Sequence, residues 1–183
     1  MTPTAYRPRT RGLTLIELLV ALAVFITLST VGVSSMQTLV DRSRVTATTN
    51  QLLTALHFTR SEAVRLNHTV TLCASRDGRT CTGTDWSHGW IAYRNPHHHD
   101  QPASAEDILR AASLPAGRGI EIAGNTPVRH YVSYGNAGIS RRHSGALQMG
   151  TLRLCGRHAG RNLIINAAGR PRTEPAPCPH TPA

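Results

Sequence analysis

Arg11-Gly12-Leu13-Thr14-Leu15-Ile16-Glu17-Leu18-Leu19-Val20-Ala21-Leu22-Ala23-Val24-Phe25 is the stretch on which the architecture of the chain turns. Arg7, Arg9 and Arg11 form a short basic leader with no acid in it, and the leader ends at Gly12. A single carboxylate, Glu17, breaks the apolar run near its start, and no charge follows from Leu18 through Val40. Such a run is long enough to cross a bilayer as a helix, which takes about 20 residues. An acid at the edge of that run costs about 2–4 kcal/mol unless it finds a partner, so Glu17 is read as functional. The basic flank puts residues 1–12 on the cytoplasmic side and the residues beyond 40 outside the inner membrane. A secretory signal cut at Ala21-Leu22-Ala23 is a poorer reading, because that triplet lies inside the apolar run rather than after it. An uncut membrane anchor is the other alternative.

The helical pattern continues past the apolar run. Between Leu13 and Leu66 there is no proline and one glycine, Gly32. Val45, Leu52, Leu56 and Ala63 recur at steps of seven, four and seven, which is helical spacing. One helix of about 54 residues is predicted, about 80 Å long. Residues 13–40 form its transmembrane or fibre-core half, and residues 41–67 its amphipathic half. Residues 68–183 form a β-rich domain.

Beyond Asn67 the pattern changes to short strands: Val70–Cys73, Trp90–Tyr93, Ile108-Leu109, Ile120–Ile122, Tyr131–Tyr134, Leu152–Leu154 and Leu163–Ile165. Turn signals such as Asp77-Gly78, Asn95-Pro96 and Gly135-Asn136-Ala137-Gly138 separate them. One long helix followed by about seven antiparallel strands is an α+β fold. Residues 96–107 read as a polar loop, and the tail from Glu174, with four prolines in ten residues, as irregular.

All 20 basic side chains of the 183-residue chain are arginine, planar forks able to grip phosphate or carboxylate in two places. They are unevenly placed. Residues 13–117 carry eight Arg against eight acids, whereas residues 118–183 carry nine Arg against Glu121 and Glu174. A basic last third suggests an anionic partner; a solvated basic surface is the alternative.

The signal around Gly12 and Glu17 resembles the class III signal of type IV pilins and pseudopilins. The resemblance implies cleavage by a prepilin peptidase between Gly12 and Leu13, methylation of the new Leu13 amine, and pairing of Glu17 with that amine on a neighbouring subunit. Leu13 stands where the family usually has Phe, and it remains bulky and apolar. Further along come Cys73-Ala-Ser-Arg-Asp-Gly-Arg-Thr-Cys81, Trp86, Gly89-Trp90, Cys155, Gly169-Arg170-Pro171-Arg172 and Cys178. That order is similar to the GspH/FimT family of minor pilins and pseudopilins. It implies a type IV pilin-like fold, with one long N-terminal helix packed on an antiparallel sheet domain. It also implies other pilin subunits, major and minor, as partners, and residence in the inner membrane before assembly. Four cysteines in an exported domain imply two disulfides. Cys73–Cys81 with Cys155–Cys178 is the favoured pairing; the sequence leaves two others open.

Gly169-Arg170-Pro171-Arg172 resembles the GRxR run of the FimT branch, which is linked to DNA binding in natural transformation. Proline favours an extended backbone, so Arg170 and Arg172 are expected on one side, spaced for successive phosphates of double-stranded DNA. Gly169 is expected to let a backbone come close. Arg153, Arg157 and Arg161 would widen the patch, as would Arg141 and Arg142 if their loop lies nearby. The alternative is a GspH-like pseudopilin of a type II secretion system with no DNA binding. No catalytic constellation, cofactor or metal site is expected: His97-His98-His99-Asp100 reads as a solvated loop, and Trp86 and Trp90 as core.

Overall fold

A computed structural model describes residue 12 and residues 14–115 and 119–178, side chains of 28–35 excepted. The leader arginines and Leu13 lie outside these residues. The helix α1 runs from Leu15 to Leu66. Thr14 caps its start, its Oγ1 accepting from the Glu17 N–H at 3.3 Å. Its end is set by Asn67, whose φ of 55° lies in the left-handed region that asparagine tolerates and that stops a helix.

The chain divides into two compact units, residues 1–37 and 38–183. In the first, Leu15 through Ile26 present large apolar side chains to the surface, Leu15 being 79% and Phe25 71% exposed. No helix among the described residues is long and apolar enough to cross a membrane. The spanning segment expected over 13–40 includes Leu13 and the side chains of residues 28–35, which lie outside the described residues.

In the second unit the predicted stripe is the buried face of the helix: Val45, Leu52, Leu56 and Ala63 are all buried. Against it lie strands β1 (Val70–Ala74), β2 (Gly89–Arg94), β3 (Ile108–Ser113), β4 (Glu121–Gly124), β5 (Tyr131–Tyr134), β6 (Gly150–Cys155), β7 (Gly160–Ile165) and β8 (Pro171–Pro175). They form two four-stranded antiparallel sheets, β3-β2-β1-β5 and β4-β6-β7-β8. Leu72, Trp90 and Val132 of the first sheet and Leu152, Leu154, Leu163 and Ile165 of the second join the helix stripe in one core. Trp86 and Trp90 belong to it, and the Trp86 indole N–H donates to the Arg129 carbonyl at 2.9 Å. At the head of the unit, the Asp41 carboxylate accepts from the His158 N–H at 2.6 Å and ties the β6–β7 turn to the helix.

The sequence predicted seven strands and an irregular end; the fold has an eighth. Pro-Arg-Thr-Glu-Pro carries no residue that favours strands except Thr173, yet it pairs with β7 along its whole length, from Ile165 opposite Pro171 to Arg161 opposite Pro175. Tertiary pairing overrides propensity there. The Ala176 N–H continues the ladder to the Gly160 carbonyl, so the even-numbered residues bond inward and Pro171, Thr173 and Pro175 face outward. Proline is tolerated there, since an outward position has no ladder bond to lose.

Cys73 is bonded to Cys81 and Cys155 to Cys178. The first bridge closes the loop after β1; the second fastens the chain after β8 to the end of β6. On the far side of the first sheet a smaller cluster of Cys73, Ile91 and Tyr93 is sealed by Cys81, Ile108 and Tyr131.

Candidate functional site

The turn between β7 and β8 positions Gly169-Arg170-Pro171-Arg172. Asn166 closes it: its side-chain oxygen accepts from the Arg170 N–H at 2.9 Å, and its carbonyl from the Gly169 N–H at 2.9 Å. Gly169 has φ of +72° and is buried. A Cβ there would stand 2.8 Å from the Ser140 nitrogen, 2.9 Å from the Gly138 oxygen and 3.0 Å from the Tyr134 ring. This corrects its expected role. The backbone that Gly169 admits is the chain's own 138–140 segment, so it holds the turn in place and is not open to a ligand. Tyr134 lies beneath, its phenol pushed well above the ordinary range by burial and so neutral.

Pro171 is buried while Arg170 and Arg172 are exposed, so the two guanidinium groups leave the same side of the chain. The register of the sheet sorts the other candidates. Arg153 lies opposite Asn162, which lies opposite Glu174; Ile164 lies opposite Arg172. Arg153 and Arg172 therefore share the outer face, about 12 Å apart between Cα atoms from two strand spacings and two residues of rise. Arg161 has the parity of Leu163 and Ile165, which point into the core, so it does not join that face. Arg157 sits in the β6–β7 turn at the opposite end of β7, about 20 Å along the strand. The sequence placed both in the patch because it counted neighbours along the chain rather than across the ladder.

Arg141 and Arg142 follow Ser140, whose nitrogen abuts Gly169, so their loop does lie beside the turn. Both are exposed, and the Arg141 guanidinium donates to the Gly145 carbonyl at 2.9 Å. Two acids enter the face: Glu174 lies 3.9 Å from Arg172, an exposed pair that holds the guanidinium only weakly, and exposed Glu121, opposite Cys155, has the parity of Arg153 on the neighbouring strand.

Sequence reasoning missed two groups. The Arg60 Nε–H donates to the Gly138 carbonyl at 2.8 Å and braces the same loop from the helix, a contact 78 residues distant with no local signal. His143 stacks on Tyr131 with ring centroids 3.9 Å apart, and its Nδ1 lies 3.2 Å from Asp100. Burial holds its pKa below the ordinary value despite Asp100. His98 and His99 lie beside it, yet no group of three or more His, Cys, Asp or Glu among the described residues is placed to hold a metal ion. Asn95 anchors their loop, its carbonyl oxygen accepting from the His99 N–H and its amide donating to the His99 carbonyl, both at 2.7 Å.

The family model of the type II transport protein GspH matches residues 48–169, from the buried helix stripe to the glycine of the turn. The chain belongs to the GspH family. The prokaryotic N-terminal methylation motif matches residues 7–33, which include Gly12, Leu13 and Glu17. No curated protein matches the chain. Two crystal forms of the type IV minor pilin FimU from Pseudomonas aeruginosa (strain PAO1) align with it. One has a TM-score of 0.52 and 20% identity over 72% of this chain and 92% of that one. The other has a TM-score of 0.54 and 19% identity over 74% and 90%. At such identity the likeness concerns the fold, which is the expected pilin-like α+β arrangement. The GspH match stops at Gly169, so it covers the scaffold and leaves out Arg170 and Arg172.

Proposed function

We propose that this GspH-family protein is a minor pilin of a type IV pilus that binds double-stranded DNA without sequence preference, in support of pilus assembly and DNA uptake. The observation that carries the reading is Arg170 and Arg172 exposed on either side of buried Pro171, on the sheet face that also presents Arg153. Guanidinium forks held by a sheet reach phosphate oxygens and no base edge, so they set affinity and not sequence. Arg141 and Arg142 extend the contact from the adjoining loop. At the other end, prepilin peptidase cuts after Gly12, the Leu13 amine is methylated, residues 13–40 anchor the chain in the inner membrane, and Glu17 pairs with a neighbouring subunit's amine during assembly.

The test is salt-dependent binding. The full chain in detergent should bind duplex DNA weakly, with log K falling against log salt at a slope of about −3 for three phosphate contacts. Arg170→Ala with Arg172→Ala should flatten the slope to about −1. Parent-like binding by the double variant at 150 mM salt would place the site elsewhere. A second reading, a pseudopilin of type II secretion without DNA binding, is favoured by the GspH match itself. It wins if the parent fails to bind DNA at low salt.

A further inference from the structure

Arg157, which the sheet face leaves out, stands in the β6–β7 turn at the other end of the domain, about 20 Å along β7 from the arginine turn. That turn is fixed to the first residues of the helix that leave the charge-free run. The Asp41 carboxylate accepts from the His158 N–H at 2.6 Å. Gly156 packs so closely that a Cβ there would stand 2.6 Å from the Asp41 carboxylate and 2.7 Å from the Val45 side chain. The turn therefore sits at the level of Asp41, and Arg157 with it. Arg42 and Arg44 leave the helix at the same level, about 200° apart around it, to either side of the stripe that begins at buried Val45. Arg42, Arg44 and Arg157 are all exposed. No acid is paired with any of them among the described residues. Asp41 is taken up by the turn, and Glu121, opposite Cys155, stands at this end on the neighbouring strand.

The charge-free run ends at Val40, so Arg42 and Arg44 lie about 3 and 6 Å beyond it along the helix. The headgroup layer on each side of the hydrocarbon is about 5–7 Å deep. With residues 13–40 anchored in the bilayer, both arginines fall within that layer, and the Asp41 tie brings Arg157 to them. We propose that Arg42, Arg44 and Arg157 form a surface for the headgroups of anionic phospholipid. The chemistry fits: a guanidinium fork grips a phosphate in two places, and a cation close to an anionic bilayer is drawn to it. The occupant is lipid rather than free phosphate because the three arginines surround the point where the chain leaves the membrane. The proposal rests on the anchoring of residues 13–40 and is independent of the DNA reading.

The experiment titrates the full chain, in micelles of a neutral detergent, with phosphatidylglycerol or phosphatidylcholine and counts retained lipid by native mass spectrometry. The parent should prefer phosphatidylglycerol. Arg157→Gln should lower its affinity for that lipid about fivefold, and Arg42→Gln, Arg44→Gln and Arg157→Gln together about a hundredfold, with phosphatidylcholine binding and the urea midpoint unchanged. The leader arginines are the same in every variant and do not enter the comparison. Arg129→Gln removes an equal charge from an exposed site beside the start of β6, at the far end of the domain, and should change nothing. Glycerol 3-phosphate at the lipid's concentration should not displace phosphatidylglycerol. Equal affinity of the parent for both lipids, a preference that survives the triple variant, a loss in Arg129→Gln as large as in Arg157→Gln, or displacement by glycerol 3-phosphate overturns the proposal. Release of the parent from membranes by alkaline carbonate overturns the anchoring reading instead, so the two failures are distinguishable.

Discussion

Gly169→Ala tests whether the arginine turn is held by the fit between its backbone and the 138–140 loop. Two effects combine. At φ of +72° an L residue is strained by about 1–2 kcal/mol. The new methyl also stands under 3.0 Å from two backbone atoms, the Ser140 nitrogen and the Gly138 oxygen, neither of which can rotate away. Overpacking of that kind adds about 1–3 kcal/mol. The expected loss is about 3 kcal/mol, a large share of the roughly 5–15 kcal/mol available to a domain. Gly145→Ala is the control: φ there is +85° with nothing within 4 Å, so only the strain of about 1–2 kcal/mol applies. Urea unfolding followed by tryptophan fluorescence reads the globular unit alone, because Trp86 and Trp90 both lie in its core. Equal losses at Gly169 and Gly145 would show that the close approach is not tight, and the argument that this loop fixes Arg170 would fail.

Replacing both Cys155 and Cys178 by Ser opens a loop with a sequence separation of 23, and urea titration should show a loss of about 3 kcal/mol. His143 has its pKa depressed below 6.5, so it binds protons more readily unfolded than folded. Its contribution is present in full above pH 6.5 and is lost as pH falls from there towards the folded-state pKa; the urea midpoint of the parent should drop in that window relative to His143→Gln, and parallel profiles would refute the assignment. Gly12 has open space around it, so Gly12→Val leaves the fold unaffected. Intact mass of membrane-extracted protein should show residues 1–12 lost from the parent and kept in Gly12→Val; Met1 retained in a parent expressed with the peptidase counts against the processing reading.

The helix was legible because its constraint is local and periodic. Steps of seven, four and seven from Val45 to Ala63 put four side chains on one stripe whatever packs against it, and all four are buried. The seven predicted strands were legible for a similar reason: six contain β-branched or aromatic residues that a pleated surface accepts, and Leu152-Arg153-Leu154 alternates apolar and polar. β8 was not, since nothing within Pro171–Pro175 but Thr173 marks a strand. Its pairing is imposed by the Asn166 turn at one end and by Cys178 at the other, groups that a local reading of composition does not connect.

The arginine site was half legible for a related reason. Arg170 and Arg172 flank a proline, and alternation within one strand can be counted along the chain. Arg153, Arg157 and Arg161 lie four residues apart in sequence, but a hairpin intervenes, and the β6–β7 register sends Arg153 outward, Arg161 toward the core side and Arg157 to the far end. The prolines that obscured the strand also bear on its use. An edge strand with free outward donors is a template for another chain. In β8 the outward positions are Pro171, Thr173 and Pro175, so two of the three have no N–H to offer. The edge that carries Arg172 is thereby blocked to strand addition while its outer face stays open to an anionic ligand. Pro171→Ala and Pro175→Ala together would restore those two donors with the arginines in place. The expected outcome is concentration-dependent self-association at unchanged DNA affinity per chain, read by sedimentation of the detergent-solubilised protein with and without DNA. A variant that stays as monodisperse as the parent would show that the prolines serve the turn and not the edge.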